Sequence, residues 1–249
     1  MSCARYLIAG LKVEMEVTGE TLKKQSEKYR FDFDGEPDKV IIPNQENIRA
    51  MHEKYPSLTD DTIEYLGTGN MFYYRLLKFD GFLLHSSCIA YDDNAYIFTA
   101  DSGTGKSTHT SLWKEYIDNV VTINDDKPAV RLIDGKFYCF GTPWSGKTDQ
   151  STNIGVPLKS VALLHRGTKN KIHPANLSNA VLFLMRQTIM PFKMTNTEYL
   201  MTLLDRFIRT IPIFHLECDM SEQAVITSFE AMTDKKYIKK EIIYARLKK

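Results

Sequence analysis

The pattern of hydrophobic and polar positions along the chain predicts a mixed α/β protein. Short runs rich in β-branched and aromatic residues predict strands, whereas apolar residues spaced three and four positions apart predict helices. The predicted strands are residues 6–17, 82–91, 96–99, 120–123, 129–133, 136–140, 160–164 and 213–217. The predicted helices are residues 21–28, 44–55, 108–116, 177–189 and 200–211.

Polar residues at the ends of these segments refine several boundaries. Asp92-Asp93-Asn94 predicts a hairpin turn between two strands. Thr59-Asp60-Asp61 predicts a helix start, because short oxygen-bearing side chains accept the free amide protons of a first turn. Thr195–Glu198 matches a capping box before the helix at 200–211. The residues after Asp234 combine lysines with isoleucines, which predicts a final helix with a solvated face.

The character of the chain changes near residue 80, which predicts two structural regions. Residues 1–80 are expected to form a small α/β region packed on a core that residues 81–249 build from strands and C-terminal helices. A length of 249 residues suits one large domain or one and a half. Hydrophobic residues make up 43% of the chain and charged residues 25%, which is ordinary for a globular protein with a packed core.

Charge and cysteine content argue against several classes of protein. With 32 Lys and Arg residues against 31 Asp and Glu residues, the net charge is +1, so neither nucleic acid nor an anionic membrane is expected as the main partner. No segment approaches the roughly 20 apolar residues of a membrane span, and the N-terminal apolar stretch is too short for a signal peptide. The four widely spaced cysteines are expected to be reduced core residues rather than a metal site or a disulfide framework. We therefore expect a cytoplasmic protein, and the sequence is compatible with a homo-oligomer.

The segment Ala100–Thr108 contains the strongest chemical signal in the sequence. It follows an apolar strand and precedes a helix, which is the context in which a glycine-rich loop binds phosphate. Glycines let backbone amides approach phosphate oxygens, and the helix N-terminus adds partial positive charge. Lys106 would reach the β- and γ-phosphates, and the Ser107 hydroxyl would bind Mg²⁺. The predicted nucleotide-binding residues are Asp101, Ser102, Gly103, Thr104, Gly105, Lys106, Ser107 and Thr108.

This loop departs at one position from the P-loop (Walker A) consensus G-x-x-x-x-G-K-[ST]. Ala100 stands where the consensus has its first glycine, and an alanine fits there if its backbone keeps a negative φ. The alternative interpretation of the segment is a glycine-rich turn that binds no ligand.

Two adjacent carboxylates, Asp125 and Asp126, follow the predicted strand at residues 120–123. In an α/β sheet, ligands collect at the carboxyl ends of strands. One carboxylate can hold Mg²⁺, and the other can accept the proton of a hydroxyl that attacks the γ-phosphate. The division of these roles is open; Asp126 is assigned to the metal together with Ser107. The alternative is a solvated turn closed by Pro128.

These motifs, in this order, resemble the HPr kinase and phosphoenolpyruvate carboxykinase superfamily, and most closely its short stand-alone branch of HPr kinase-like proteins. The resemblance covers about residues 80–220 and starts at His85-Ser86-Ser87, followed by the loop and the acidic pair. It implies a P-loop kinase core built on a mixed, β-rich sheet. It matches Lys106 to the phosphate lysine, Ser107 to the metal-binding hydroxyl, Asp125 and Asp126 to the paired acidic residues, and His85 to a histidine near the transferred phosphate.

The sequence also departs from that superfamily. The glutamate- and glycine-rich signature that follows the acidic pair in HPr kinases is absent, and residues 140–149 stand in its place. HPr as the substrate and the reverse phosphorylase reaction are therefore not expected. Carboxykinase chemistry is not expected either, because the chain is less than half the size of a carboxykinase and shows no second-metal set of Lys and His residues. The replacing segment reads as an adaptable polar loop in which Lys147 would neutralise the migrating phosphoryl group or an anionic substrate. Asp149 is a candidate third acidic group, and Arg166 is a candidate phosphate or carboxylate clamp.

Taken together, the sequence favours a kinase that uses ATP and Mg²⁺ to phosphorylate a hydroxyl-bearing acceptor, either a small metabolite or a serine of a peptide. The candidate catalytic residues are His85, Lys106, Asp125, Asp126, Lys147 and Arg166. The alternatives are a nucleotide-binding regulatory or scaffold protein without phosphotransfer, and an ATP- or pyrophosphate-linked phosphatase. For single residues the alternatives are structural: a hydrogen-bonded strand histidine at 85, a tryptophan at 144 that only covers the edge of the core, a solvated lysine at 147 and a surface turn at 166.

Overall fold

The computed structural model describes residues 3–42, 45–191 and 193–239, with only the backbone of residues 45–48. Its strands are β1 (Ala4–Ile8), β2 (Leu11–Met15), β3 (Lys39–Ile41), β4 (Gly81–Leu83), β5 (Ser87–Tyr91), β6 (Asn94–Thr99), β7 (Val121–Asn124), β8 (Ala129–Ile133), β9 (Lys136–Phe140), β10 (Gly155–Arg166), β11 (Lys171–Pro174) and β12 (Ile213–Cys218). Its α-helices are α1 (Glu20–Ser26), α2 (Gln45–Lys54), α3 (Asp60–Leu76), α4 (Lys106–Tyr116), α5 (Leu177–Arg186), α6 (Met194–Thr210) and α7 (Glu222–Thr233).

A mixed sheet of nine strands forms the centre of the part of the chain that the structure describes. Its order is β4-β8-β9-β10-β6-β5-β7, and β12 pairs with β10 and with β11. β10 joins two parts of the sheet, because residues 155–157 pair antiparallel with β9 while the later residues lie parallel to β6 and β12. The mixed α/β architecture predicted from the sequence is therefore confirmed, whereas its assignment to the P-loop kinase class stays a prediction.

Helices cover both faces of the parallel centre of this sheet. Along β6, Ala95 and Ile97 belong to the core that α5 and α6 cover, whereas Tyr96 and Phe98 belong to the core that α4 and α7 cover. Because both faces are buried, the strand reads as a continuous apolar run rather than as an alternation of apolar and polar residues. These packed layers hold the ends of the central strands, and the loops that follow them, in fixed positions.

The N-terminal region packs against one end of the central sheet. β1, β2 and β3 form a separate three-stranded sheet, and its buried residues share a core with α3 and with Leu83, Ala129 and Trp144 of the central part. Carboxylates of α3 hold the start of α1, since Asp61 accepts hydrogen bonds from the Thr21 amide and hydroxyl, and Glu64 accepts them from the Thr18 amide and hydroxyl. The division of the chain near residue 80 stays a prediction.

Several local predictions agree with the structure. β8 and β9 have the predicted bounds, and Thr59 caps α3 by accepting a hydrogen bond from the Thr62 amide. Cys88, Cys139 and Cys218 are buried free thiols, as expected of core cysteines, whereas Cys3 is only half-buried. Among the residues described here, no helix has both the length and the apolar character needed to cross a bilayer.

Four other predictions of secondary structure are wrong. The run at residues 6–17 is two antiparallel strands, β1 and β2, joined by a turn at Ala9 and Gly10. The run at residues 82–91 is also two strands, because β4 pairs with β8 whereas β5 pairs with β6 and β7. The capping box at 195–198 does not form: α6 starts at Met194, and Lys193 precedes it without a side-chain cap. Residues 235–239 are not helical, and the rest of the predicted final helix, residues 240–249, lies outside the described residues.

Candidate functional site

A cavity of about 860 Å³ opens at one edge of the central sheet, where β6 and β7 end and β5 begins. The loop before α4 and the aspartates after β7 form one side of this cavity. Another side of the cavity is formed by residues of α1 and α3 from the N-terminal region, together with residues 145–149. Five of the six predicted catalytic residues line it, namely His85, Lys106, Asp125, Asp126 and Lys147.

The glycine-rich loop connects the end of β6 directly to the start of α4. Ala100 is buried, and it is absent from the described residues that have positive φ, so it meets the condition set for an alanine at this place. Gly103 and Gly105 have φ values of +76° and +115°. Side chains strain the backbone in this left-handed region, so the loop conformation depends on glycine at both positions.

Lys106 lies folded over the loop that precedes it. Its ammonium group donates hydrogen bonds to the carbonyl oxygens of Ala100 at 3.0 Å and Asp101 at 3.4 Å. Burial lowers the pKa of Lys106 below its ordinary value, although the charges of nearby aspartates act in the opposite direction. The ammonium group therefore sits at the loop, where it can exchange backbone carbonyl partners for phosphate oxygens.

Asp125 is held by neutral hydroxyl groups. It is 7% exposed, and its two carboxylate oxygens accept hydrogen bonds from the Ser87 hydroxyl at 2.6 Å and the Thr148 hydroxyl at 3.2 Å. Since the Ser87 proton goes to Asp125, Ser87 accepts a hydrogen bond from the Thr110 hydroxyl at 2.7 Å. Two hydrogen bonds thus join Asp125 to Thr110 of α4, the helix whose first turn carries Ser107.

Asp126 has a different environment, because it contacts basic side chains. His85 Nε2 lies 3.3 Å from one carboxylate oxygen, and the Lys127 ammonium group contacts the other. Burial by itself raises the pKa of Asp126, but the hydrogen bond from His85 and the charge of Lys127 outweigh it, so the pKa lies below its ordinary value. Asp126 is therefore an ionised carboxylate that faces the cavity near neutral pH.

Asn124 shapes the backbone on which both aspartates lie, and the sequence analysis missed this residue. Its side-chain oxygen accepts hydrogen bonds from the amides of Asp126 at 2.9 Å and Lys127 at 2.7 Å, and its amide group donates to Thr142. Asn side chains commonly bond the backbone two residues further on, so its place before Asp125 was a usable local signal.

Gln187, at the end of α5, fixes the position of His85 and was also missed. Its backbone carbonyl accepts from the His85 amide at 2.7 Å, and its side-chain oxygen lies 3.0 Å from His85 Nδ1. The Thr99 hydroxyl donates to the His85 carbonyl at 2.9 Å. His85 therefore lies in the connection between β4 and β5, not within a strand as predicted, and is held on three sides.

Residues 144–149 do not form the adaptable loop expected from the sequence. Trp144 is 1% exposed and stacks on Phe72 of α3 with ring centroids 5.0 Å apart. Gln25 accepts from the Ser145 amide and hydroxyl and donates to the Gly146 carbonyl at 3.0 Å. The buried phenol of Tyr65 accepts from the Gly146 amide at 2.9 Å. The N-terminal region thus fixes this segment beside the aspartates.

Arg166 is the predicted catalytic residue that the structure does not place in the cavity. Its guanidinium group donates to the carbonyl oxygens of Gly103 at 2.6 Å and Thr104 at 2.9 Å, from the far side of the loop. It borders a second cavity of about 320 Å³ with Thr104, Gly105 and Thr108. Asp149 lies at the main cavity but pairs with Lys28 at 3.2 Å and Lys24 at 3.5 Å.

The oxygen donors around the cavity fit a magnesium ion. Mg²⁺ is bound by oxygen ligands, and proteins often supply one or two carboxylates while water and substrate phosphates complete its coordination. The Ser107 hydroxyl and the carboxylates of Asp125 and Asp126 line the same cavity and are donors of this type. Which of them would bind the ion stays a prediction.

Comparisons with known proteins find remote structural likenesses and no match by sequence. No family model matches the sequence, and no curated protein matches it. The fold is similar to that of the HPr(Ser) kinase/phosphatase from Coxiella burnetii, with 8% sequence identity, a TM-score of 0.35, and coverage of 61% of this chain and 99% of that one. The likeness is distant and concerns the fold alone.

Proposed function

We propose that this protein is a kinase that transfers the γ-phosphate of ATP, with Mg²⁺, to the hydroxyl group of a small molecule or of a peptide serine. The observation that carries the proposal is the shared cavity: a glycine-rich loop with its lysine lies beside two ionisable carboxylates. Binding a triphosphate needs only the loop and one carboxylate, whereas phosphoryl transfer to a hydroxyl also needs a proton acceptor. The second carboxylate supplies that acceptor.

The loop and the first turn of α4 are assigned to the phosphates of the donor. Backbone amides of residues 101–106 and the positive end of the α4 dipole favour an anion there. Lys106 would balance the charge of the β- and γ-phosphates. Arg166 supports this loop from outside by holding the Gly103 and Thr104 carbonyls, so we assign it a positioning role rather than a contact with phosphate.

We assign the role of proton acceptor to Asp126 and the binding of Mg²⁺ to Ser107 and Asp125. The sequence alone had assigned the metal to Asp126 together with Ser107. Hydrogen bonds through Ser87 and Thr110 tie Asp125 to α4, the helix whose first turn carries Ser107. Asp126 contacts His85 and Lys127 instead. When bound, Mg²⁺ would neutralise phosphate charge. Asp126 would accept the proton of the attacking hydroxyl, and His85 would hold its carboxylate in place.

Replacement of Lys106 by methionine is expected to weaken ATP binding by about 10- to 100-fold, because charge-assisted hydrogen bonds contribute about 1.5–3 kcal/mol each. Calorimetric titration with Mg²⁺ and a non-hydrolysable ATP analogue measures this change. Lys114→Met, on the same helix, is the matched control, since Lys114 bonds Gln150 and does not line the cavity. Equal affinities in the two variants would remove Lys106 from the donor site.

The proposed function is tested by ATP consumption against a panel of hydroxylated metabolites and serine peptides. We expect transfer of phosphate to at least one acceptor, detected as a mass increase of the acceptor, and no transfer without Mg²⁺. Magnesium-dependent ATP binding with no transfer to any acceptor would favour the regulatory alternative. Release of inorganic phosphate from a phosphorylated acceptor, without forward transfer, would favour the phosphatase.

A further inference from the structure

We propose that the acceptor carries an anionic group, a carboxylate or a phosphate, in addition to its hydroxyl, and that Lys147 binds this group. This inference rests on the kinase function proposed above, and it names the chemical class of acceptor that binds in the cavity. Of the two roles open to Lys147 from sequence, recognition of an anionic substrate is the one that its contacts and its position in the cavity support.

The first support is the absence of a partner for Lys147 within the described residues. Lys147 is exposed at the margin of the cavity, and it has no hydrogen bond or ion pair with any other described residue. By contrast, Lys106 is 8% exposed and bonded to the loop, and Lys127 contacts Asp126. Lys147 is therefore a cation of this cavity whose charge is still available to a ligand.

The second support is that the carboxylates of the wall facing the glycine-rich loop are already engaged by other groups. Asp149 pairs with Lys24, which also lines the cavity, and with Lys28, which does not line it. Asp61 accepts hydrogen bonds from the amide and the hydroxyl of Thr21. Neither carboxylate pairs with Lys147, so an incoming anion does not have to displace one of them from this lysine.

The third support is the rigid placement of the backbone that carries Lys147. Gln25 and Tyr65 hold the backbone of residues 145 and 146 through the hydrogen bonds described above. Gly146 has a φ of +72°, and a Cβ atom built on it would lie 3.0 Å from the Cβ of Asp126. Lys147 thus starts from a fixed point directly beside the proposed proton acceptor, which sets the distance between the acceptor's anionic group and its reactive hydroxyl.

The donor phosphates do not need this lysine. Lys106, the loop amides and the α4 N-terminus already supply positive charge at the loop, and a bound Mg²⁺ adds more. Groups that neutralise a migrating phosphoryl group act most strongly where water is excluded, whereas Lys147 is exposed to solvent. An exposed lysine at a cavity margin suits the capture and orientation of an anion arriving from solution.

The experiment measures binding rather than turnover, so its outcome does not depend on catalysis. The protein is first saturated with Mg²⁺ and a non-hydrolysable ATP analogue to fill the loop, and then titrated with glycerol, glycerol 3-phosphate and glycerate. We expect each anionic probe to bind at least tenfold more tightly than glycerol. Lys147→Ala should abolish this preference, Lys147→Arg should keep most of it, and Lys136→Ala, an exposed lysine on β9 outside the cavity, should leave it unchanged.

Two results would overturn the inference. Equal affinity for glycerol and for both anionic probes would show that the cavity does not select for charge. Anion binding that survives Lys147→Ala would place the anion elsewhere in the cavity. A serine peptide with glutamates and its glutamine counterpart, titrated in the same way, distinguish a peptide source of the carboxylate from a small-molecule source. A failure of the proposed kinase function would give a different result: the anionic probes would bind, but no acceptor would be phosphorylated.

Discussion

Replacement of Asp126 by asparagine is expected to reduce phosphate transfer about 1,000-fold while leaving ATP affinity within about threefold of the unmodified protein. A positioned general base contributes about 10²- to 10⁴-fold to a rate. Asparagine keeps the shape of the side chain and an oxygen for His85 or Lys127, but it cannot accept the proton of the attacking hydroxyl. The measurement is the initial rate of acceptor phosphorylation, together with the affinity for a non-hydrolysable ATP analogue.

The matched control for this variant is Asp134→Asn in the turn between β8 and β9. Asp134 is exposed and has a φ of +48°, a backbone conformation that asparagine tolerates. We expect normal transfer by this control. If Asp126→Asn transfers phosphate at the normal rate, Asp126 is not the proton acceptor. If it loses ATP affinity as strongly as transfer, Asp126 acts in donor binding instead.

Replacement of Trp144 by alanine is expected to lower the free energy of unfolding by about 3–5 kcal/mol, the usual cost of deleting a buried tryptophan. The ring stacks on Phe72 and lies edge-on to Tyr73, and its indole nitrogen donates to the Thr68 hydroxyl at 3.2 Å. Gly69 makes room for it, because a Cβ atom there would lie 2.9 Å from the indole ring. Trp144 therefore joins α3 to the segment that borders the cavity.

This loss is a large part of the free energy of unfolding of a typical domain, which is about 5–15 kcal/mol. Urea denaturation followed by circular dichroism measures it. Trp144→Phe keeps an aromatic ring in the same space but lacks the hydrogen bond to Thr68, so we expect an intermediate loss. Phe31→Ala removes an aromatic ring that is about half exposed and should cost less than either. A loss below 1 kcal/mol for Trp144→Ala would contradict the role given to this ring.

The elements that sequence analysis predicted best are those whose signals lie close together along the chain. β8 and β9 are two apolar runs joined by Asp134-Gly135, so their pattern and their turn are contiguous. The loop at residues 100–105 is likewise specified by adjacent residues, with a strand before it and a helix after it. α7 was missed although half of its twelve residues are apolar and Val225, Phe229 and Met232 recur at helical spacing. Its core face forms against β10 and α4, which are distant in sequence.

Contacts between distant parts of the chain were not predictable in this way. Gln187 reaches His85 across 102 positions, and Gln25 reaches Gly146 across 121. Neither residue belongs to a local sequence motif. Nothing in the neighbouring sequence indicates the partner of either glutamine, because only the fold brings the two residues of each pair together. Arg166 shows the converse: its place at a strand end predicted a phosphate contact, but in the structure its side chain bonds the outside of the loop.

The sequence by itself determined the chemical groups of the candidate site: a glycine-rich loop with Lys106 and Ser107, and the carboxylates of Asp125 and Asp126. These are local patterns, and backbone sterics and strand–helix alternation place them at one sheet edge. The tertiary structure decided which groups share the cavity, which carboxylate contacts His85, and that Lys147 is left without a partner among the described residues. Those outcomes depend on packing between the N-terminal region and the central sheet, which no local pattern encodes.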